Sequence, residues 1–147
     1  MDCICKSVLL VGRMTDDVCF CERLRRAARV LSRAYDQALS PHGLTVTQFS
    51  ILRSLGPGDR TLAQLAEAGG YEKSGLWRTL QPLIRDGLVE TAIGPIRSQT
   101  IRLSVAGQER LATALPDWSA VQARLDDGRT HRNDRLLSLL SELEAIV

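Results

Sequence analysis

Five side chains that suit contact with a nucleic acid occur close together in the sequence. They are Lys73, Ser74, Trp77, Arg78 and Gln81. Leucines at positions 76, 80 and 83 recur between them at helical spacing, so the two sets are expected on different faces of one helix. Arginine and glutamine can make paired hydrogen bonds to guanine and adenine edges, whereas lysine and serine suit phosphates. The pattern predicts a DNA-contacting helix; a solvated face is the alternative, and Trp77 could instead pack against a neighbouring helix.

Arg97 is a second candidate for DNA contact. It lies in residues 94–97, where glycine followed by proline predicts a turn between two strand-like stretches. An arginine at the tip of a hairpin can enter the narrow minor groove, where the negative potential is enhanced. A solvated turn residue is the alternative.

The four cysteines form two Cys-x-Cys pairs, Cys3 with Cys5 and Cys19 with Cys21. A helix N-terminus and nearby arginines favour the reactive thiolate, and Arg23 follows the second pair closely. Cysteines two residues apart diverge on a regular helix, so joint action needs a frayed helix start or a thiol from elsewhere. The second pair is therefore a candidate thiol sensor of oxidant or metal, with ordinary thiols as the alternative. The spacing is not that of a usual zinc knuckle, so no structural metal site is predicted.

No arrangement typical of an enzyme occurs in the sequence. His42 and His131 are single histidines for which surface roles are expected. The chain has no Ser/His/Asp order, no glycine-rich phosphate loop and no HExxH motif. We therefore predict that the protein is not an enzyme and requires no cofactor.

The candidate residues lie within a short series of predicted elements. Thr61 starts a capping-box pattern that opens a short helix. Residues 72–86 form a second helix, and residues 88–93 and 98–103 form two strands joined by a turn. A helix-turn-helix followed by a hairpin is the winged-helix arrangement, in which one helix enters the major groove. The expected fold is mainly α with a small β-hairpin wing.

Long helices flank this region on both sides. Apolar residues three and four apart predict helices over residues 16–39, over 104–125 and from Thr130 onward. The first and last of these helices have more apolar residues along one face than the core of a single protomer needs. We therefore predict that they pair across a two-fold axis in a homodimer.

The domain organisation follows from these elements. Residues 16–147 are predicted to form one domain, with 44–104 as the winged-helix core and with 16–40 and 105–147 as dimerisation helices. Residues 1–15 are predicted to form a flexible N-terminal extension, and an ordered arm in a dimer is the alternative.

Composition sets limits on the function. The 147 residues suffice for one domain with a substantial core, and the net charge of +2 does not by itself indicate a polyanionic partner. Arginines crowded between positions 23 and 33 suit a solvated helix face. No apolar run approaches the roughly 18 residues of a membrane span. We therefore predict a cytoplasmic protein with reduced thiols and no membrane partner.

Four segments together resemble the MarR family of bacterial regulators: residues 44–52, 62–66, 80–89 and 102–107. The resemblance covers roughly residues 16–147. It implies a homodimer held by the first and the last two helices, a palindromic double-stranded DNA operator, and control by a small-molecule effector or by cysteine chemistry.

The sequence departs from the family pattern at two places. The family's wing commonly holds an Asp-x-Arg element, of which residues 95–97 keep only Arg97. In the predicted recognition helix, Gly75 and Trp77 stand where small hydroxyl residues are common.

The sequence therefore predicts a sequence-specific, homodimeric DNA-binding regulator that acts as a repressor. Two alternatives stay open at this point. One is a regulator whose input is redox or metal chemistry at the cysteines, and the other is a winged-helix module that binds protein and not DNA.

Overall fold

The computed structural model describes residues 19–93, 99–126 and 130–146, without the side chains of 130–132. Its elements follow one another in the order expected for a winged helix. They are α1 (Phe20–Leu39), a short 3-10 turn (Ser40–His42), α2 (Val46–Leu55), β1 (Arg60–Thr61), α3 (Leu62–Gly69), α4 (Lys73–Arg85), β2 (Val89–Ile93), β3 (Gln99–Leu103), α5 (Val105–Asp126) and α6 (Thr130–Glu144). The mainly helical fold with a small antiparallel sheet is thus confirmed.

Two capping boxes start the helices of the winged-helix core. The Thr45 hydroxyl accepts the Gln48 N–H at 3.2 Å, and the Gln48 amide oxygen accepts the Thr45 N–H at 2.9 Å. Thr61 and Gln64 make the same reciprocal bonds at 3.2 and 2.8 Å. Each box satisfies two N–H groups that a helix start leaves free, so these starts are encoded locally.

Helix α4 ends in a motif that leads directly into the wing. The Gly87 N–H donates to the Ile84 carbonyl and the Leu88 N–H donates to the Leu83 carbonyl. Gly87 has a φ of +70°, a left-handed conformation that side chains rarely adopt. This turn sends Leu88 and Val89 into the core as β2 begins.

The wing is a three-stranded sheet with the order β1-β3-β2. β2 and β3 pair antiparallel from Val89 opposite Leu103 to Ile93 opposite Gln99. The sequence patterns did not predict β1, whose two residues pair with β3 at Ile101 and Thr100. The predicted turn at residues 94–97 lies outside the described residues.

The core sits between α2, α3, α4 and the sheet, and it is closed by the end of α1 and by α5. Its buried members are Leu39, Leu44, Phe49, Ile51, Leu52, Leu55, Leu65, Ala66, Leu76, Leu80, Leu83, Leu88, Val89, Ile101 and Ala114. Among the described residues, α6 contributes none to this cluster.

Aromatic stacking joins the two long helices to the winged-helix core. Trp118 of α5 stacks on Phe49 of α2 and on Tyr35 of α1, with ring centroids 5.6 and 6.4 Å apart. The Arg53 guanidinium lies 4.6 Å from the Trp118 ring centroid. The Tyr35 hydroxyl donates to Gln122 at 2.6 Å, which ties α1 to the far part of α5.

In the part of the chain that the structure describes, no helix combines the length and the apolar character that crossing a membrane requires.

Candidate nucleic-acid interface

Helix α4 has one buried face and one exposed face. Leu76, Leu80 and Leu83 lie in the core. Ser74, Arg78 and Gln81 are exposed and recur four and three residues apart, so they form one line along the helix surface. The exposed face therefore presents a hydroxyl, a guanidinium and an amide together.

These exposed side chains have no polar partner in the part of the chain that the structure describes. Lys73, Ser74, Arg78 and Gln81 make no side-chain hydrogen bond or ion pair with another described residue. Their donors and acceptors are thus available to a partner.

Arg85 extends the same line by one more helical turn, although it was not among the residues predicted from the sequence. Its side chain is 75% exposed and contacts the neighbouring Asp86 at 3.1 Å. An ion pair this exposed contributes little to stability, so Arg85 is free to exchange its partner. Its position eleven residues after Ser74 was the signal that could have identified it.

Trp77 occupies the border between the two faces of α4. It is half-buried and packs against the core cluster, which was the alternative that the sequence left open. The exposed part of its ring borders the same surface as Lys73, four residues before it.

The start of α4 lies beside a shallow cleft against α3. The cleft of about 740 Å³ is lined by Glu67, Tyr71, Glu72, Lys73 and Ser74, together with small residues of α3. Two carboxylates therefore stand next to Lys73. They lower the positive potential around the lysine.

The wing carries a cross-strand ion pair that was not predicted from the sequence. Arg102 Nε and Nη2 donate to one Glu90 oxygen at 2.9 and 2.8 Å. The two residues lie directly opposite each other on β3 and β2, where opposite charges favour pairing. The predicted four-residue turn would have placed Glu90 opposite Ile101, whereas the observed register pairs Ile93 with Gln99 and Glu90 with Arg102. Arg97, the predicted minor-groove residue, lies outside the described residues.

The second cysteine pair stands at the beginning of α1. Cys19 is the N-cap residue and Cys21 lies in the first turn; both are exposed free thiols. Cys3 and Cys5 lie outside the described residues.

The histidines are placed in two different ways. His42 Nε2 lies 2.7 Å from an Asp117 oxygen, and the His42 carbonyl accepts Arg110 Nη1 at 2.6 Å. These bonds tie the turn after α1 to α5. His131 belongs to α6 and its side chain is not described. Within the described ranges, no three His, Cys, Asp or Glu side chains cluster as metal ligands do.

Known proteins resemble this chain in sequence and in fold. A model of the MarR family matches residues 42–95. The M. tuberculosis transcriptional regulator MosR, crystallised with DNA, is 39% identical over 86% of this chain and 98% of its own, with a TM-score of 0.72. The transcriptional repressor CouR, bound to a 23-mer DNA duplex, is 27% identical over 85% and 92%, with a TM-score of 0.76. A variant of E. coli MarR in complex with operator DNA is 20% identical over 83% and 91%, with a TM-score of 0.76, a likeness of fold.

Proposed function

This chain belongs to the MarR family of winged-helix transcriptional regulators, and we propose that it is a homodimeric repressor whose two α4 helices bind the halves of a palindromic operator. One observation carries the proposal. The exposed line of Ser74, Arg78 and Gln81 has no partner among the described residues, in a chain 39% identical to a regulator crystallised with DNA. The repressor role rests on likeness to a named repressor.

Each proposed contact has a distinct chemical role. Arg78 and Gln81 read base edges in the major groove, because their side chains can make paired hydrogen bonds there. Lys73 and Ser74 contact phosphates and fix the register of the helix. Trp77 adds apolar contact at the edge of the groove, and Arg97 enters the adjacent minor groove. A protein that binds operator DNA acts where the chromosome is, which in a bacterial cell is the cytoplasm.

The first experiment tests for specific DNA binding. The full-length protein selects duplexes from a randomised library, and fluorescence anisotropy then compares the selected duplex with a scrambled one at a fixed salt concentration. We expect the selected palindrome to bind about a thousandfold more tightly or better. Equal affinity for both duplexes would reject the operator proposal and favour the protein-interaction module.

The proposed dimer rests on apolar surface that the described residues of one protomer leave uncovered. Leu136, Leu139 and Leu143 of α6 are 52, 48 and 42% exposed, and Phe20 of α1 is 78% exposed. A groove of about 620 Å³ lies between α1 and α6. It is lined by apolar residues of α1, by Arg23 and Arg26, and by Leu143. Contiguous apolar surface of this kind marks an interface. A second copy would cover it and would hold two recognition helices at a fixed separation.

The cysteine pair lies at one end of this uncovered surface. Phe20, between Cys19 and Cys21, lines the same groove. Hydrogen peroxide can take two electrons and two protons from two thiols, which forms one disulfide and two molecules of water. Cys19 and Cys21 are both free thiols in this structure, and thiols two residues apart diverge on a regular helix. We therefore propose that each bonds a thiol of the other subunit, or of Cys3 or Cys5. Such a crosslink would alter the dimer packing and lower operator affinity. A small-molecule effector is the second route by which binding could be modulated.

The thiol proposal has a direct test. Wild-type protein and the Cys19→Ser, Cys21→Ser double variant are titrated with the selected duplex, with and without peroxide and, separately, with and without a thiophilic metal. We expect loss of affinity in the treated wild type only, with equal resting affinities. The Cys3→Ser, Cys5→Ser variant shows which partner thiol is used. An equal response of the Cys19/Cys21 variant, or no response of the wild type, would make these cysteines ordinary thiols.

A further inference from the structure

Ser104 joins three elements at one buried point. Its hydroxyl donates to the Gly87 carbonyl at 2.5 Å, just beyond the end of α4. The same hydroxyl oxygen accepts the Gly107 N–H at 2.9 Å, in the first turn of α5. The Ser104 N–H donates to the Leu88 carbonyl at 3.1 Å, at the start of the wing. Only 8% of Ser104 is exposed, so water does not readily replace these partners.

The backbone at this point is in close contact as well. A Cβ placed on Gly107 would lie 2.0 Å from the Leu88 carbonyl oxygen. The first turn of α5 therefore rests directly on the chain that leaves α4. The opposite part of α5 is held by Trp118 and Gln122 against α1 and α2. Helix α5 is thus fixed at two places, and at one of them Ser104 links it to the turn that follows α4.

We propose that Ser104 is a positioning residue that sets the angle between α4 and α5, and thereby the half-site spacing that the dimer accepts. This inference rests on the proposed function, because spacing has meaning only for two α4 helices on one operator. The Ser104 hydroxyl is placed to act on this angle because it bonds both the exit of α4 and the entry of α5.

The geometry gives this angle a large effect. Helix α4 has 13 residues, so it is about 20 Å long, and its N-terminal half is the part that enters the groove. The junction lies at its C-terminal end. A tilt of about 10° at the junction therefore moves the far end by about 3.5 Å, close to the 3.4 Å rise of one base pair. Loosening the junction would therefore widen the range of positions that the N-terminal half of each α4 can take, as far as the packing of Leu76 and Leu80 allows.

The experiment compares paired and single half-sites. Wild type, Ser104→Ala and Ser104→Thr are titrated with the selected palindrome, with palindromes lengthened or shortened by one base pair, and with a duplex that holds one half-site. For Ser104→Ala we expect the preference for the original spacing over the altered spacings to fall about tenfold, within the usual range of coupling between sites. Affinity for the single half-site is expected to stay within about twofold. The relative affinities for the palindromes of different length are called the spacing profile. Ser104→Thr keeps the hydroxyl and is expected to keep the wild-type spacing profile.

Matched variants separate positioning from folding. Ser54→Ala removes a hydroxyl whose hydrogen bond stays within α2, to the Ser50 carbonyl at 2.9 Å, and we expect no change in its spacing profile. If Ser104→Ala does not fold, Ser104→Gly removes the same hydroxyl and destabilises the start of α5 less, because glycine is better tolerated than alanine before a helix.

Two results would overturn the inference. The first is a folded Ser104→Ala variant with an unchanged spacing profile, or with an equal loss of affinity for all duplexes including the single half-site. Either outcome would make Ser104 a helix cap only. The second is a wild-type protein that binds the selected palindrome and scrambled DNA equally well. That outcome would reject the operator proposal itself, and it is distinguishable from a spacing profile that Ser104→Ala leaves unchanged.

Discussion

Replacing Gly107 with alanine tests the packing between the wing and α5. The new Cβ would lie 2.0 Å from the Leu88 carbonyl oxygen, whereas real Cβ contacts are essentially never below 3.0 Å. The carbonyl or the first turn of α5 must then retreat by about 1 Å, which also strains the bond between Ser104 N–H and Leu88. Overpacking costs about 1–3 kcal/mol and sometimes more, and the obstacle here is backbone. We therefore expect Gly107→Ala to lower the free energy of unfolding by about 3 kcal/mol, near the upper end of that range.

Thermal unfolding measures this loss at a fixed protomer concentration, since a dimer's Tm depends on concentration. At about 2–4 °C per kcal/mol for a chain of this size, Gly107→Ala is expected to lower Tm by about 6–12 °C. The matched control is Gly75→Ala in α4, where a Cβ meets nothing within 4 Å. Alanine favours a helix interior over glycine by about 1 kcal/mol, so this variant is expected to raise Tm slightly. If Gly107→Ala had the same Tm as the wild type, the close approach of Gly107 to the Leu88 carbonyl would be refuted.

Three further predictions concern the dimer, the phosphate contact and alkaline stability. Leu139→Glu is expected to shift the protein toward monomer in light scattering. Leu139 is 48% exposed in the protomer, so burying the exposed half of two such leucines stabilises a dimer by about 1.5–3 kcal/mol. Ser141→Glu, on the opposite face of α6, is the control, and a stable wild-type monomer at micromolar concentration would contradict the dimer. Lys73→Ala is expected to weaken binding to all duplexes alike and to flatten the salt slope by about one per protomer; an unchanged slope would remove Lys73 from the phosphate contacts. Burial raises the pKa of Tyr35 above its usual 10.0. The contribution of the neutral hydroxyl to stability is therefore complete below about pH 10 and is lost as pH rises through the folded pKa. Denaturant titrations are expected to show that the free energy of unfolding falls less steeply with alkaline pH in Tyr35→Phe, and identical falls in both proteins would exclude this effect.

Locally encoded elements could be predicted from the sequence. The capping boxes at Thr45 and Thr61 consist of residues three apart, so their bonds depend on almost nothing outside the helix start. The two faces of α4 follow in the same way from helical spacing. Local patterns therefore suffice to predict helix α4 and the division between its buried and exposed faces.

Features that depend on distant residues were missed. β1 has two residues and exists because β3 pairs with it some 40 positions later; no local pattern marks so short a strand. The Ser104 hydroxyl bonds Gly87, which is 17 positions earlier. In the sequence Ser104 was only part of a segment that led into a helix, so its link between α4 and α5 could not be recognised.

Operator binding by Arg78→Ala tests the central claim most directly. The variant and wild type are titrated with the selected palindrome and with duplexes changed at single positions, with Arg124→Ala of α5 as the control. We predict that Arg78→Ala weakens binding by about 1–3 kcal/mol per contact and relaxes base preference at one position of each half-site. Unchanged affinity and unchanged preference in this variant would contradict the placement of α4 in the major groove.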